Sequence, residues 1–285
     1  MPMHVFIINP NAGAKKAKRF NNLIATIKSN SSNNIWETKG PMEAKTLAQK
    51  AIQKGATRII AVGGDGTINE VASVLVNTNI PLGIIPIGSG NGLARHLNIP
   101  LNPLKALQVA TQNAVQKMDV GQFTDRYFFC TAGIGFDASV AHQFAKSSGR
   151  GFLNYIKATF NTLFSYQPIE IAIDYGPKQA VFSFTIANAN QFGNNAYISP
   201  MSNVQDGLLE TIKISKLSIF QAAAIGIRLF KGTIHLSKNV EIRSTKNCTI
   251  QYQKGAPFHL DGEQLLTTTE DIHIQILPSA IQVIC

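Results

Sequence analysis

From the start of the chain to about residue 120, short β-rich apolar runs alternate with segments of helical period. His4 to Ile8 reads as a strand, and Phe20, Leu23, Ile24 and Ile27 then recur at i, i+3, i+4 and i+7, the spacing of one helix face. A second unit begins at Ile35 to Thr38. Pro41 suits a first helical turn, Ala44, Leu47, Ala48, Ala51 and Ile52 supply the apolar face, and Gly55 suits the C-terminal cap. Arg58 to Val62 runs into a glycine turn and then a helix carrying Ile68, Val71, Ala72 and Leu75. Leu82 to Ile87 meets another glycine turn, and Asn102-Pro103 opens a helix with Leu104 and Leu107 on one face. This alternation predicts a parallel sheet covered by helices.

After about residue 123 the period changes to two. Ile169, Ile171 and Ile173 share one face, and so do Phe182, Phe184 and Ile186. Leu209 to Ile214, Val240 to Arg243, Thr249 to Tyr252 and Ile272 to Ile276 follow in the same style. These predict antiparallel strands of a β-rich second domain, with one helical segment near Ser218 to Phe230. The boundary is placed near Gly121, giving an α/β domain over 1–122 and a β-rich domain over 123–279. A last strand-like piece at 280–285 is a candidate to return to the first domain. The chain has no internal repeat.

A chain of 285 residues suffices for one large domain or two ordinary ones, and 45% hydrophobic residues exclude disorder. Lys and Arg number 26 against 16 Asp and Glu, so the formal charge is 26 − 16 = +10, yet only 15% of residues are charged. That lies below the roughly 25% of an average globular chain, so the excess arises from few acids and not from basic tracts. Nucleic acid is thereby disfavoured as a partner, and phosphates, nucleotides or an anionic membrane surface remain.

The N-terminal apolar run is too short for a signal peptide and lacks a basic leader. No stretch approaches the ~20 apolar residues of a membrane span. Ile219 to Phe230, interrupted by Gln221, Gly226 and Arg228, reads as a core helix. Cys130, Cys248 and Cys285 fit neither a disulfide framework nor a metal site. The expectation is a reduced, cytoplasmic protein with no transmembrane segment, whose membrane contact is peripheral to the inner face; a homodimer is left open.

The most informative segment is Val62-Gly-Gly-Asp-Gly-Thr-Ile-Asn-Glu-Val71, between a strand and a helix. In a parallel sheet this is the carboxyl edge, where ligands bind. Gly63, Gly64 and Gly66 permit close approach by a phosphate, and successive N–H groups with the helix N-terminus make an anion cradle. Asp65 would repel a bare phosphate, so its presence points to a nucleotide bridged by Mg²⁺. The competing structural reading is a glycine turn whose Asp65 caps a helix. A second loop, Ile85-Pro-Ile-Gly-Ser-Gly-Asn-Gly-Leu-Ala94, brings Gly88, Ser89 and Asn91 to the same edge, and Asn9-Pro-Asn-Ala-Gly13 ends the first strand there. Neither GxxxxGK[ST] nor an opening GxGxxG is present, against a P-loop NTPase and a Rossmann dehydrogenase.

Taken in order, these blocks resemble the diacylglycerol kinase catalytic domain superfamily of bacterial lipid kinases, sphingosine kinases and ceramide kinases. Downstream, Thr131-Ala-Gly-Ile-Gly-Phe-Asp137, Ala187-Asn-Ala-Asn190 with Gly193, Ser199-Pro200, Asp206-Gly207 and Leu260-Asp-Gly-Glu263 continue the match over nearly the whole chain. The resemblance implies an α/β nucleotide domain, a C-terminal antiparallel β-sandwich lipid domain, an active site in the cleft between them, and ATP with Mg²⁺. It places Asn9, Pro10, Asn11, Ala12, Gly13, Thr38, Gly64, Asp65, Gly66, Thr67, Ile68, Asn69, Glu70 and Ser89 along the ATP site; Gly63, Gly88 and Asn91 of the same turns are counted with them. It makes Asp261 and Glu263 the catalytic pair beside Asp65, and Asn203, Asp206 and the Leu208 carbonyl a structural Mg²⁺ site. The implied activity is transfer of the γ-phosphoryl group to a hydroxyl of a diacylglycerol-like or sphingoid lipid.

On chemical grounds phosphoryl transfer needs phosphate positioning, charge neutralisation and an acceptor for the hydroxyl proton. His259, Asp261 and Glu263 would share one face if their segment is extended; the alternative is an Asp-Gly hairpin turn with solvated acids. One departure stands out: Asn91-Gly92 replaces the Asn-Asp of many bacterial members. This raises a long-chain amino alcohol as substrate and makes Asp119 a candidate for the metal network or an amino headgroup. Lys15, Lys16, Lys18 and Arg19 cluster beyond the first turn. Arg150, Lys157, Phe152, Leu153, Ile156, Phe160, Leu163 and Phe164 form an amphipathic stretch suited either to a bilayer interface or to a core-facing helix. Rival readings are an NAD kinase-like enzyme, which shares Gly-Gly-Asp-Gly, and a lipid- or nucleotide-binding protein without catalysis.

Overall fold

The computed structural model describes residues 3–13, 17–29, 33–112, 114–146 and 152–285. The chain divides into two compact units, 1–118 with 279–285, and 119–278. The division falls at Met118/Asp119, four residues before the expected boundary, and assigns Asp119 to the second unit.

In the first unit β1 (His4–Ile8), α1 (Ala17–Lys28), β2 (Asn33–Glu37), α2 (Glu43–Gln53), β3 (Arg58–Gly63), α3 (Asp65–Leu75), β4 (Leu82–Pro86), α4 (Gly92–His96) and α5 (Pro103–Gln112) follow in turn. The strands pair in parallel in the order β2-β1-β3-β4, with the tail of β15 (Asp271–Ile284) added beside β4 through Val283 and Leu82. Val5 to Ile8, Ile59 to Val62 and Leu82 to Pro86 are all buried, as strands covered on both faces must be. The helices bury only the small or branched residues of one stripe, such as Ala44, Ala48 and Ala51 in α2. Because β1 is followed by β2 on one side and bordered by β3 on the other, the order reverses between β1 and β3. That switch point is where a crevice opens at the carboxyl ends.

In the second unit β5 (Val115–Phe123), whose first residues belong to the first unit, leads to β6 (Arg126–Phe128), β7 (Thr131–Gly135), α6 (Phe136–Lys146), α7 (Phe152–Ser165), β8 (Ile169–Ile173), β9 (Gln179–Ala187), β10 (Leu209–Ser215), α8 (Ile219–Lys231), β11 (Val240–Thr245), β12 (Asn247–Gln251), β13 (Pro257–Leu260) and β14 (Glu263–Leu266). One antiparallel layer runs β14-β13-β7-β9-β10-β11, and β8, which pairs with both β9 and β12, joins it to a second layer of β12, β15, β5 and β6. The unit is a β-sandwich whose inner core holds Phe123, Phe128, Ile134, Phe184, Ile186, Ile250, Phe258 and Ile274. A second cluster, with Phe182, Ile198, Ile212, Ile214 and Ile225, receives Leu163 of α7 and Ala222 and Leu229 of α8.

Three expectations need correction. Phe182 does not share a cluster with Phe184 and Ile186: a register shift opposite Ile214 and Ser215 inserts an extra residue into β9 and sends Phe182 to the helix-covered side. Nor is Ile219 to Phe230 a core helix. Ile225 is its one buried residue, while Ile219, Phe220, Ile227 and Phe230 are exposed, since a helix lying on a single sheet buries one side only. Pro41, expected in the first turn of α2, instead precedes it, and Met42 in the left-handed region is the N-cap.

Candidate active site

The turns at the carboxyl ends of β1, β3 and β4 meet. Asn9 Nδ2 donates to Thr67 Oγ1 at 3.1 Å, linking the first turn to α3 across the switch point. A Cβ on Gly13, at φ +70°, would stand 2.1 Å from the Ile87 carbonyl oxygen, so only glycine lets that turn close on the β4 loop. The two glycine loops touch backbone to backbone: a Cβ on Gly88 would lie 2.6 Å from the Gly64 Cα. Thr38 at the end of β2 is buried, and its N–H donates to the Ile8 carbonyl at 2.9 Å.

Asp65 is the clasp of this arrangement. Its Oδ2 accepts the Asn91 N–H at 2.8 Å and its Oδ1 the Gly92 N–H at 2.7 Å, while Asn91 Nδ2 donates to the Gly88 carbonyl at 2.9 Å. Glu70 turns away from the glycine loops and accepts the N–H groups of Met42, Ala44 and Lys45, satisfying the first turn of α2. Asn69 Oδ1 accepts from Ser73. At α3 the N-cap is Gly64, which supplies no side-chain acceptor to the first turn of the helix. Gly66 has open space where a side chain would project, and Ser89 is exposed. Pro10 and Asn11 are exposed in the first turn, where the Asn11 N–H donates to Asn9 Oδ1 at 3.0 Å.

In the second unit the expected metal residues come together. Buried Asp119 accepts the Gly207 N–H on Oδ2 at 2.7 Å, and its own N–H donates to the Val204 carbonyl at 2.7 Å. The same loop holds Asn203, whose Oδ1 accepts from the Gln205 N–H, and Asp206, whose Oδ1 accepts from the Leu208 N–H. Asn188 Nδ2 donates to the Asp119 carbonyl at 2.9 Å, fixing the strand end. The donors available there are carboxylate, amide and carbonyl oxygens, the chemistry that suits Mg²⁺. No cluster of three or more His, Cys, Asp or Glu is found among the described residues, so any cation here needs amide and carbonyl oxygens as well.

The segment with His259, Asp261 and Glu263 is not extended. Asp261 at φ 48° and Gly262 at φ 84° form a two-residue turn that pairs Leu260 with Glu263 and His259 with Gln264. Cross-strand partners share a face, so Glu263 lies on the Leu260 side and His259 on the other. The Asp261 carboxylate folds back: Oδ2 accepts the Phe129 N–H at 2.9 Å, and Oδ1 accepts those of Cys130 and Thr131 at 2.7 and 3.0 Å. Glu263 is exposed at the head of β14.

Two family models match the chain: the diacylglycerol kinase catalytic domain over residues 3–123, and the YegS C-terminal NAD kinase beta sandwich-like domain over residues 130–285. The chain belongs to the family that joins these two domains. Among its relatives, a diacylglycerol kinase of Mycobacterium tuberculosis is 28% identical over 257 residues, covering 85% of this chain and 81% of that protein. A Chromohalobacter salexigens protein named "Probable lipid kinase YegS-like" is 28% identical over 244 residues, covering 82% and 78%. A crystal structure of a diacylglycerol kinase from Bacillus anthracis superposes with a TM-score of 0.72 at 20% identity, covering 99% of this chain and 96% of that one, and so supports the fold.

Within this lipid-kinase family member the structure adds a half-buried group that the spacing of residues did not single out. Asp137, ending the Thr131–Asp137 block, accepts from Thr185 Oγ1 at 2.7 Å and lies 3.3 Å from His259 Nε2. A Cβ on Gly133 would come within 2.1 Å of Asp137 Oδ2, so the strand has room only for glycine beside this pair. Thr185 carried no motif; the alternation of β9 places it beside Asp137. Lys15, Lys16 and Arg150 lie outside the described residues, as do the side chains of Lys18, Arg19, Phe152 and Leu153. Phe160 and Phe164 of α7 are exposed, whereas Leu163 packs inward. No helix among the described residues is long and apolar enough to cross a membrane.

Proposed function

We propose that this chain is an ATP- and Mg²⁺-dependent lipid kinase that transfers the γ-phosphoryl group to a hydroxyl of a diacylglycerol-like or sphingoid lipid. The observation that carries the reading is the convergence of three polar turns, joined by Asn9–Thr67, Gly13–Ile87 and Gly64–Gly88, at the switch point of a parallel sheet. The N-terminus of α3 and the backbone of both glycine loops bind the phosphates of ATP, and Asp65 holds the second loop in place for them. Asn203, Asp206, Asp119 and the Leu208 carbonyl are the residues that would hold Mg²⁺ in the second unit. Bound Mg²⁺ supplies positive charge that steadies an acidic loop or a phosphate.

The pair Asp261 and Glu263 divides its work in this reading. Asp261, committed to three backbone N–H groups, positions the turn; Glu263, exposed beside it, accepts the proton of the lipid hydroxyl. The exposed Phe160 and Phe164 of α7 suit an acceptor that arrives from a lipid surface. The test is incubation with γ-labelled ATP and Mg²⁺ against separate panels of diacylglycerol, long-chain amino alcohols and NAD. Label in a lipid is the expected result. Label in NAD alone would make the chain an NAD kinase, and ATP binding without transfer to any acceptor would make it a binding protein.

A further inference from the structure

The outward side of α8 carries more apolar surface than a solvent-facing helix tolerates. Phe220 is 88% exposed, Ile227 59% and Ile219 51%, and Ala223 and Ala224 are exposed beside them. At 100° per residue these five positions fall within one arc of about 140°. Ile225, Ala222 and Leu229 point the opposite way, into the cluster on β9 and β10. The helix is therefore apolar on both sides, and only one is accounted for by the fold. Its N-terminus is closed by a reciprocal cap between Ser218 and Gln221, and Gly232 ends it, so the exposed face is presented on a well-formed helix.

The charges of the chain segment that carries this face have one sign. Between Glu210 and Glu241 the chain has no Asp or Glu, but has Lys213, Lys216, Arg228, Lys231 and Lys238. Lys213 pairs with Glu241, and Arg228 donates to the Thr233 carbonyl. Lys216, Lys231 and Lys238 are exposed at the two ends of the helix, and exposed Leu236 follows it. Two copies of such a face would bring like charges together, which disfavours a symmetric dimer through it. An apolar stripe with exposed lysines before and after it along the chain matches the acyl boundary and phosphate layer of an anionic bilayer.

We propose that the outer face of α8 is a membrane-docking surface, with Ile219, Phe220 and Ile227 entering the interface of an anionic bilayer and Lys216, Lys231 and Lys238 meeting its phosphates. The choice of a bilayer over an acidic protein rests on the lipid-kinase reading; the face itself does not.

The test is co-sedimentation of the full chain with vesicles of phosphatidylcholine plus phosphatidylglycerol, and with vesicles of phosphatidylcholine alone. The wild type is expected to bind the anionic vesicles and to lose binding as salt is raised. The double variant Phe220→Asp/Ile227→Asp, which alters only exposed positions, is expected to keep the wild-type melting temperature and lose about tenfold or more in partitioning. Tyr175→Asp, an exposed control on the turn after β8, is expected to bind as the wild type does. Equal binding by the double variant, equal loss in the control, or no binding to anionic vesicles would each overturn the proposal. So would a wild-type dimer, seen by light scattering without vesicles, that the double variant turns into monomer. Phosphorylation of detergent-dispersed lipid separates the two readings: its absence in the wild type sinks the kinase assignment and leaves the docking result standing, whereas its retention in the double variant fits docking by a face apart from the chemistry.

Discussion

At the scale of single residues, the acids named from the sequence are engaged chiefly with backbone. Asp65, Glu70, Asp119 and Asp261 each accept main-chain N–H groups that join one loop or strand end to another. In a chain with 16 acids and 26 bases, this explains why those few acids sit inside motifs: a carboxylate takes two or three N–H groups at once, which no neutral side chain does as well. The motif spacing made these residues visible, but their partners were not, because Asp261 reaches segments about 130 positions away. Asp261→Asn, which keeps tolerance for the left-handed turn, is expected to lower stability by about 1–3 kcal/mol, read by denaturant unfolding. Glu263→Gln is expected to leave that stability unchanged and to slow phosphorylation by about a hundredfold or more. If Glu263→Gln turns over like the wild type, Glu263 is not the proton acceptor.

At the scale of elements, the first unit was legible almost strand by strand, because helices and buried strands impose different periods on the same chain. The sequence of turns was legible for the same reason: glycines clustered where strands of a parallel sheet end. What periodicity hid was the bulge that redirects Phe182, the turn that parts His259 from Glu263, and the run β5 to α6, where the burial of β5 does not alternate and β6 and β7 are short. The α3 loop provides a separable test. Gly66 lies in the first turn of the helix with open space around it, so Gly66→Ala is expected to raise stability by about 0.5–1 kcal/mol through the unfolded chain. On the proposed ATP site the same methyl group would stand where the phosphates approach, so ATP affinity measured by calorimetry is expected to fall. Unchanged affinity would remove this loop from the nucleotide site. Gly88→Ala, by contrast, drives Gly64 away and is expected to lower both stability and affinity.

At the scale of the whole molecule, burial in the second unit reaches groups that titrate at alkaline pH. Burial pushes the Cys248 thiol and the Tyr252 phenol of the second unit each up to about 12. Unfolded, they ionise near their ordinary values, roughly 8.5 and 10. Between those values and 12 the unfolded chain releases protons that the folded chain keeps, so stability falls as pH rises through that window. Thermal unfolding from pH 8 to 11 (roughly the window in which these groups titrate) is expected to show a falling Tm for the wild type and a shallower fall for Cys248→Ala/Tyr252→Phe; identical slopes would contradict the assignment. The net charge of +10 is a property of the whole chain that the fold makes specific, since α8 concentrates bases without acids beside an exposed apolar face. The most direct test of the central claim is transfer of labelled phosphate from ATP, with Mg²⁺, into a total lipid extract, followed by identification of the labelled product. The account predicts label on a lipid hydroxyl, lost in Glu263→Gln and when Mg²⁺ is chelated. Label confined to a water-soluble acceptor, or none in any lipid while ATP binds, would contradict it.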